Sequence, residues 1–299
     1  MLKKKIKILI TGNKGFIGSK ICKILKKNYQ DNIDFFGYDL VEGNDILDKF
    51  KLDKLFEAEQ FDMVLHLAAL AGVRRSEDYP QKYSDTNIIG TRNLIEMCKN
   101  YKVDKFIFFS SSSVLGGSKN KKDGLKEDDL YQPQSFYANS KAMGEFLVKA
   151  SGLDYFIIRP FTVYGENGRK DMVIYKWINQ IKAKKPISFF GDGKTSRGYT
   201  YVEDLAQATI DLIQKLKQKK FQEIIHLGGS EIIQLQELLK LFQKHTKKKN
   251  IKFTIDQTPM PDADVVNSHA NTKKAKNLIN FSPKPRFKKI IEDILQLSL

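Results

Sequence analysis

Short apolar runs alternate with helical patterns through the first 160 residues, and this alternation limits the possible folds. The strand-like runs are Ile6 to Ile10, Phe35 to Tyr38, Met63 to Leu67, Phe106 to Phe109 and Tyr155 to Ile158. The helical patterns between or after them are Phe16 to Lys26, Gln81 to Tyr101 and Tyr137 to Ser151. Because strands that alternate with helices pair in parallel through crossover connections, we predict an α/β fold with a doubly wound parallel sheet.

A glycine-rich loop joins the first predicted strand to the first predicted helix. It reads Thr11-Gly12-Asn13-Lys14-Gly15-Phe16-Ile17-Gly18. Small residues at such a turn let the backbone approach a pyrophosphate, whose charge is favoured by the free amides of the helix N-terminus. Asp39 follows the last glycine by about 20 residues, where a carboxylate accepts hydrogen bonds from ribose hydroxyls and repels a 2′-phosphate. The pattern predicts a Rossmann-like site for NAD; a tight turn beside a solvated Asp is the alternative.

The rhythm loosens after Pro160, where glycine-containing loops separate shorter elements. We expect residues 1–160 to form the NAD-binding domain, with later segments returning to it. Residues 161–299 are expected to form mainly a smaller α/β substrate-binding domain.

The chain carries 51 basic and 35 acidic residues, a formal net charge of +16. The excess is mostly Lys on polar faces without interleaved aromatic residues, so we expect no nucleic-acid partner. No stretch approaches the roughly 18 apolar residues of a membrane span, so we expect no membrane partner. Cys22 and Cys98 lie in apolar helical patterns without metal-ligand spacing, which favours a reducing cytoplasm and no metal site.

Serine, tyrosine and lysine side chains are expected near the carboxyl edge of the sheet. Phe106 to Phe109 is followed by four serines at 110–113, and Tyr137 and Lys141 lie one helical turn apart. An ammonium beside a phenol stabilises the phenolate and lowers its pKa from about 10, as general-base catalysis requires. The set predicts a proton-transfer site; an ordinary amphipathic Tyr and Lys pair is the alternative.

With these motifs in this order, the sequence resembles the extended short-chain dehydrogenases/reductases of the nucleotide-sugar epimerase type. The resemblance covers nearly the whole chain and implies that Ser111, Tyr137 and Lys141 are catalytic, with Tyr137 as the base. The cofactor contacts that the resemblance implies are Gly12, Asn13, Lys14, Gly15, Phe16, Ile17, Gly18, Asp39, Asp45, Ile46, Leu67, Ala68, Ala69, Asn87, Tyr137, Lys141 and Phe161.

Three stretches are similar to UDP-glucuronate 4-epimerases in particular: HLAALAGVRRS from His66, RPFTVYGENGRKDM from Arg159 and PMPDADV from Pro259. The resemblance places Thr162 and Arg169 at the sugar carboxylate and Arg197 at the nucleotide diphosphate. It also implies substrate contacts for Ser111 and Ser112. A planar guanidinium suits bidentate carboxylate recognition, although Arg169 could instead be a solvated loop arginine.

The resemblance implies that Tyr137 removes the proton of the sugar 4-hydroxyl while NAD takes the hydride, giving a 4-keto sugar that turns before the hydride returns. We expect conversion of UDP-glucuronate to UDP-galacturonate. The alternatives are epimerisation of another UDP-hexose or N-acetylhexosamine, reduction of a keto sugar, or a non-catalytic NAD-binding module. A homodimer through the helices Gln81 to Tyr101 and Tyr137 to Ser151 is also implied.

The sequence departs from the resembled pattern at several positions. Ser112 and Ser113 stand where dehydratases of the superfamily carry an acidic pair, so elimination lacks its acid. Leu115 replaces a usual Tyr and Gly198 a common Asp. The segment between Asp39 and Asp45 is shorter than usual.

Overall fold

The computed structural model describes residues 5–117, 122–260 and 265–299. The strands of these ranges are β1 (Ile6–Thr11), β2 (Ile33–Tyr38), β3 (Met63–His66), β4 (Lys105–Phe109), β5 (Asp154–Pro160), β6 (Val163–Tyr164), β7 (Ile187–Phe190), β8 (Ser196–Tyr201), β9 (Gln222–Leu227), β10 (Glu231–Gln234), β11 (Ile255–Thr258) and β12 (Asn267–Ser268). The α-helices are α1 (Phe16–Asn28), α2 (Lys49–Glu59), α3 (Val73–Asp78), α4 (Pro80–Tyr83), α5 (Gly90–Asn100), α6 (Phe136–Lys149), α7 (Val173–Lys182), α8 (Val202–Gln218), α9 (Leu235–Lys248), α10 (Lys273–Ile279) and α11 (Phe287–Ser298).

A six-stranded parallel sheet has the order β2-β1-β3-β4-β5-β9. In the register of β1, Ile8 lies opposite Phe35 on one side and Met63 on the other. The strand order therefore reverses at β1, and sheets of this kind bind ligands beyond the carboxyl ends of the strands at the reversal. The predicted doubly wound sheet is confirmed, and each strand-like run of the first 160 residues contributes a strand.

Apolar layers cover both faces of this sheet. Successive strand side chains point to opposite faces. Ile8 and Ile10 accordingly pack with buried residues of α1 and α8, whereas Leu9 packs with buried residues of α2, α5 and α6. With helices covering both faces, only the edges of the sheet are open to a ligand. The glycine loop and the serine run both lie at the carboxyl edge, because they follow β1 and β4.

The later part of the chain forms a second apolar centre. β8 pairs with β6, β10 and β12, and β7 pairs with β11. Trp177 is fully buried there between Phe189 and Phe242. Between these elements the chain returns to the large sheet, because β9 pairs with β5.

Two regions differ from the sequence prediction. α2 links β2 to β3, where no helix was predicted, because its mostly polar pattern buries Leu52 and Phe56 alone. The predicted helix Gln81 to Tyr101 is divided into α4, a π-helix at Ser84–Ile89 and α5. A π-helical turn inside a helix often marks a functional site.

Candidate active site

The glycine loop follows β1 and opens onto α1. Gly12 has a φ of +74°, and a Cβ there would lie 2.6 Å from the backbone nitrogen of Ala68, so this position requires glycine. Gly15 is the N-cap of α1 and provides no side-chain cap, which leaves the first amides of the helix open to an anion. The Asn13 side-chain oxygen is buried with no hydrogen-bond partner within the described ranges. This loop is shaped to receive a phosphate-containing ligand.

Asp39 stands at the end of β2, facing the glycine loop. Its Oδ2 accepts a hydrogen bond of 2.9 Å from the Lys14 amide, and its Oδ1 accepts one of 3.0 Å from the Val41 amide. These bonds fix the carboxylate beside the loop, where ribose hydroxyls could reach it. The Tyr38 hydroxyl donates to the Asp45 carbonyl at 3.1 Å. Although the segment between Asp39 and Asp45 is short, this bond holds the buried Ile46 next to the end of β2.

The segment after β3, with Leu67, Ala68 and Ala69, lines the same edge of the sheet. Asn87, in the π-helix, holds its continuation: its side chain accepts from the Leu70 amide at 2.8 Å and donates to the Leu70 carbonyl at 3.0 Å. Asn87 also donates to the Ser140 hydroxyl of α6 at 2.9 Å. This buried amide therefore positions the loop against α6.

His66 ends β3 and is fully buried. Its Nδ1 lies 2.7 Å from the Thr11 hydroxyl and its Nε2 lies 3.0 Å from the Thr91 hydroxyl. Burial lowers the pKa of His66 to about 3, so the ring is neutral at physiological pH. Both ring nitrogens are satisfied, as in a structural residue.

Tyr137 lies in the first turn of α6, where the N-cap Ser135 accepts a hydrogen bond from the Ala138 amide at 3.1 Å. Its phenol forms a hydrogen bond with the Ser111 side chain, which follows β4. Burial raises the pKa of Tyr137, and the Arg169 charge and the Ser111 hydrogen bond oppose that rise. The structure thus brings together Ser111 and Tyr137, two of the predicted catalytic residues.

Lys141 lies one turn further along α6 and is almost fully buried. Its Nζ donates to the Phe109 carbonyl at the end of β4, at 2.7 Å. Burial lowers the pKa of Lys141 to about 7, and Glu145 opposes this. The Tyr137 and Lys141 spacing predicts that the lysine charge acts on the phenol. In the structure the lysine amine is bound to the Phe109 carbonyl, and Arg169 is the cation that opposes the rise in the pKa of Tyr137.

Arg169 binds a carboxylate of its own chain beside Tyr137. Its Nε lies 3.0 Å from Asp171 Oδ1 and its Nη2 lies 2.5 Å from Asp171 Oδ2. The Tyr83 ring meets the Tyr137 ring edge-on at 6.3 Å between centroids. Arg169 is therefore paired with Asp171 beside Tyr137, in a pair that water still reaches.

Residues 8–228 match the NAD dependent epimerase/dehydratase family. The chain belongs to this family. It is 35% identical over 306 residues to a UDP-glucuronate 4-epimerase of Thermodesulfobacterium geofontis, covering 92% of this chain and 90% of that protein. The structure is similar to a UDP-glucuronic acid 4-epimerase from Bacillus cereus in complex with UDP-glucuronic acid and NAD, with a TM-score of 0.86, 32% identity and coverage of 98% and 99% of the two chains. A UDP-glucose 4-epimerase from Thermotoga maritima with UDP-glucose matches with a TM-score of 0.83 and 26% identity, over 97% and 98% of the chains.

Of the remaining predicted residues of this NAD-dependent family member, Ser112, Phe161 and Thr162 follow the carboxyl ends of β4 and β5, whereas Arg197 lies on β8 of the smaller sheet. Ser112 begins a 3-10 helix capped by Ser111. Phe161 is buried against the His226 ring at 5.2 Å, and the carbonyl of Thr162 accepts from the Thr200 amide at 2.8 Å. Arg197 donates to the carbonyls of Ser196 and Val266 at 2.9 and 3.1 Å.

A buried ion pair, which the sequence motifs do not predict, ties α6 to β5 in this epimerase/dehydratase family member. Arg159 donates from Nε and Nη2 to Glu145 at 2.8 and 2.7 Å, and both side chains are fully buried. Glu145 also accepts from the hydroxyls of Ser110 and Tyr131 at 2.5 and 2.6 Å. Glu145 follows Lys141 by four residues on α6, and that spacing is the signal that could have indicated it.

Across the three described ranges, no cluster of three or more His, Cys, Asp or Glu side chains could bind a metal ion. A search of the same ranges finds no helix with the length and apolar character needed to cross a membrane. Of the PMPDADV stretch, residues 261–264 lie outside the described residues.

Proposed function

We propose that this protein is an NAD-dependent UDP-glucuronate 4-epimerase that forms UDP-galacturonate. The proposal is supported above all by Arg169, which lies beside Ser111 and Tyr137 and binds the Asp171 carboxylate through two hydrogen bonds. A guanidinium fork matches a sugar carboxylate, and bonds of this kind contribute about 1.5 to 3 kcal/mol each. The names of the Thermodesulfobacterium and Bacillus relatives support the same substrate.

The residues at the sheet edge fit NAD. Gly12, Gly15 and Gly18 would receive its diphosphate, Asp39 its adenosine ribose, and Asp45 with Ile46 its adenine edge. The nicotinamide half would meet Phe161, Lys141 and the segment of Leu67, Ala68, Ala69 and Asn87. The buried, unpartnered Asn13 oxygen supports this assignment, because buried polar atoms are normally hydrogen-bonded. When bound, NAD supplies the acceptor and donor of the hydride at the sugar C4.

The protein moves the proton. Tyr137 as phenolate takes the proton of the sugar 4-hydroxyl, and Ser111, already hydrogen-bonded to the phenol, positions the same oxygen. The positive charge of Arg169 favours the phenolate, while burial opposes it. Ser112 and Thr162 line the sugar site, and Arg197 anchors the diphosphate while the sugar turns. Ser112 and Ser113 offer no carboxylic acid for elimination.

We also propose a homodimer in a reducing cytoplasm. Phe136, Met143 and Phe146 lie on one face of α6 and are 46 to 49% exposed, an apolar stripe that a second copy of the chain would cover. Light scattering at the eluting peak of a sizing column tests the dimer, with twice the chain mass expected.

Cys22 and Cys98 are both free thiols, which suits a reducing compartment.

Incubation with UDP-glucuronate, UDP-glucose and UDP-N-acetylglucosamine, followed by NMR of the fourth sugar carbon, tests the proposed reaction. We expect inversion of UDP-glucuronate, and a loss of about a hundredfold in kcat/KM when Arg169→Gln removes the fork. Faster inversion of a neutral sugar would favour the UDP-hexose alternative. NAD binding without conversion of any sugar would favour a non-catalytic module.

A further inference from the structure

We propose that Asp171 is an internal competitor that occupies Arg169 until the sugar carboxylate displaces it, and so sets the affinity of the site for acidic substrates. The inference rests on the proposed function, because it takes the carboxylate of UDP-glucuronate as the incoming ligand. Asp171 would take part in substrate binding by releasing Arg169 to the sugar carboxylate.

The geometry of the pair is that of a bound ligand. Asp171 contacts both Nε and Nη2 of Arg169, the two-point arrangement by which guanidinium groups bind carboxylates. The pair lies over the backbone of Gly72: a Cβ there would be 3.4 Å from Asp171 Oδ2 and 3.6 Å from Arg169 Nη2. Tyr83 Oη lies 3.6 Å from the same point. The fork thus sits at the wall of the site that carries Tyr137.

Exchange is favoured over the binding of two carboxylates by one guanidinium. Two carboxylates around a single positive charge would repel each other and leave a net negative charge in the site. The Asp171 side chain is 54% exposed, so water can solvate its carboxylate once the bond breaks. The Arg169 side chain, at 36%, is less exposed and stays beside Tyr137.

Exchange has a consequence for affinity. An acidic substrate must replace the contact with Asp171, whereas a neutral sugar leaves the internal pair intact. Asp171 therefore weakens the binding of UDP-glucuronate and UDP-galacturonate without affecting UDP-glucose. Weaker binding of the acids favours product release, and the guanidinium is never left unpaired.

Calorimetric titration of the NAD-loaded protein with UDP-glucuronate and UDP-glucose tests the exchange, in a Tyr137→Phe background that prevents turnover. Asp171→Asn should lower the Kd for UDP-glucuronate about tenfold and change the Kd for UDP-glucose less than twofold. Asp192→Asn is the matched control, because it removes an exposed carboxylate that pairs with Lys194 at 3.2 Å. With Arg169→Gln added, Asp171→Asn should have no further effect on either Kd. Asp171→Ser provides a second variant with the same expectation.

Unchanged or weaker binding of UDP-glucuronate by Asp171→Asn would overturn the exchange, since it would mean that Asp171 orients Arg169 for the substrate. The proposed reaction fails separately. If the wild-type protein binds UDP-glucuronate and does not invert it, the epimerase assignment is refuted, while tighter binding by the variant still supports the exchange. Failure of the wild type to bind UDP-glucuronate refutes both.

Discussion

Tyr137 and Tyr83 are neighbouring phenols with different surroundings. The Tyr83 hydroxyl donates to the carbonyls of Ala71 and Gly72 at 2.9 and 3.1 Å, so its hydrogen bonds stabilise the backbone of this loop. The Tyr137 phenol instead lies beside the Ser111 side chain, whose hydrogen bond opposes the rise in its pKa. Burial raises the pKa of both phenols and Arg169 opposes the rise in both, whereas the Ser111 hydrogen bond acts on Tyr137.

Removal of the Tyr137 hydroxyl should stop catalysis without unfolding the protein. Tyr137→Phe should lower kcat about 10² to 10⁴-fold, the usual contribution of a general base, and leave NAD binding unchanged. Tyr83→Phe is the matched control; it should cost about 1 kcal/mol of stability and keep kcat within tenfold. Steady-state kinetics give kcat, calorimetric titration gives the affinity for NAD, and urea denaturation gives the stability of each variant. Equal losses in the two variants would contradict the role of Tyr137.

The sequence predicts which elements bring Ser111 and Tyr137 together better than it predicts the partners of Arg169 and Lys141. Ser111 and Tyr137 were expected at one edge because a strand end and a helix start both point there, and the structure joins them. The pairing of Arg169 with Asp171 was not expected, because residues two apart in a loop have no fixed relative orientation. The bond from Lys141 to the Phe109 carbonyl depends on tertiary packing that a four-residue spacing does not specify.

Three successive turns of α6 each place one ionisable side chain on the same face: Tyr137, Lys141 and Glu145. Glu145 is tied to Arg159 on β5, so the ion pair fastens the helix to the sheet beneath the site. Lys149, one turn further, donates to the Tyr131 hydroxyl at 2.7 Å, and Tyr131 itself binds Glu145. The position of Tyr137 and Lys141 is thereby fixed relative to the sheet, whose strand β4 is followed by Ser110 and Ser111.

Breaking this ion pair should be costly. Arg159→Met leaves the Glu145 charge buried without its partner, and we expect a loss of about 3 to 5 kcal/mol in the free energy of unfolding. Adding Glu145→Leu should recover part of that loss, since an apolar pair carries no unpaired charge. Urea denaturation measures both. The control is Lys49→Met, which removes a half-exposed pair with Glu96 and should cost less than about 1 kcal/mol.

The large sheet was predictable because its strands are short, apolar and buried on both faces, as parallel strands are. α2 was not, because a helix that buries few side chains has little periodic signal. The π-helix at Ser84–Ile89 was also beyond prediction, since its backbone differs from an α-helix without a change in residue pattern. Its position is explained by Asn87, which must reach Leu70 and Ser140 together.

The described residues include two buried, neutral histidines, and these give the stability of the molecule a pH dependence. His66 and His226 both have a pKa lowered to about 3, chiefly by burial. Between pH 6.5 and 3 the unfolded chain binds protons at these residues that the folded chain excludes. The free energy of unfolding should therefore fall as the pH falls through this window.

The His66 contribution can be isolated. His66→Gln should flatten the dependence of unfolding free energy on pH by about one proton, or about 1.4 kcal/mol per pH unit in the middle of the window. His245→Gln, at a partly exposed position of α9, should flatten it much less. Denaturant unfolding of each variant at several values of pH between 3 and 7 gives the slopes. Identical slopes for wild type and His66→Gln would show that His66 is protonated in the folded protein.

The return of the chain to the large sheet through β9 limits how this enzyme can be re-engineered. β9 completes the sheet and α8 packs on α1, although both follow Arg169 and Arg197 in sequence. A chimaera that exchanged everything after residue 160 with a relative would also replace an edge strand of the large sheet and a helix packed on α1. Grafts meant to alter sugar preference should therefore be inserted at two junctions, one after β5 and one before α8, and not fused at a single breakpoint.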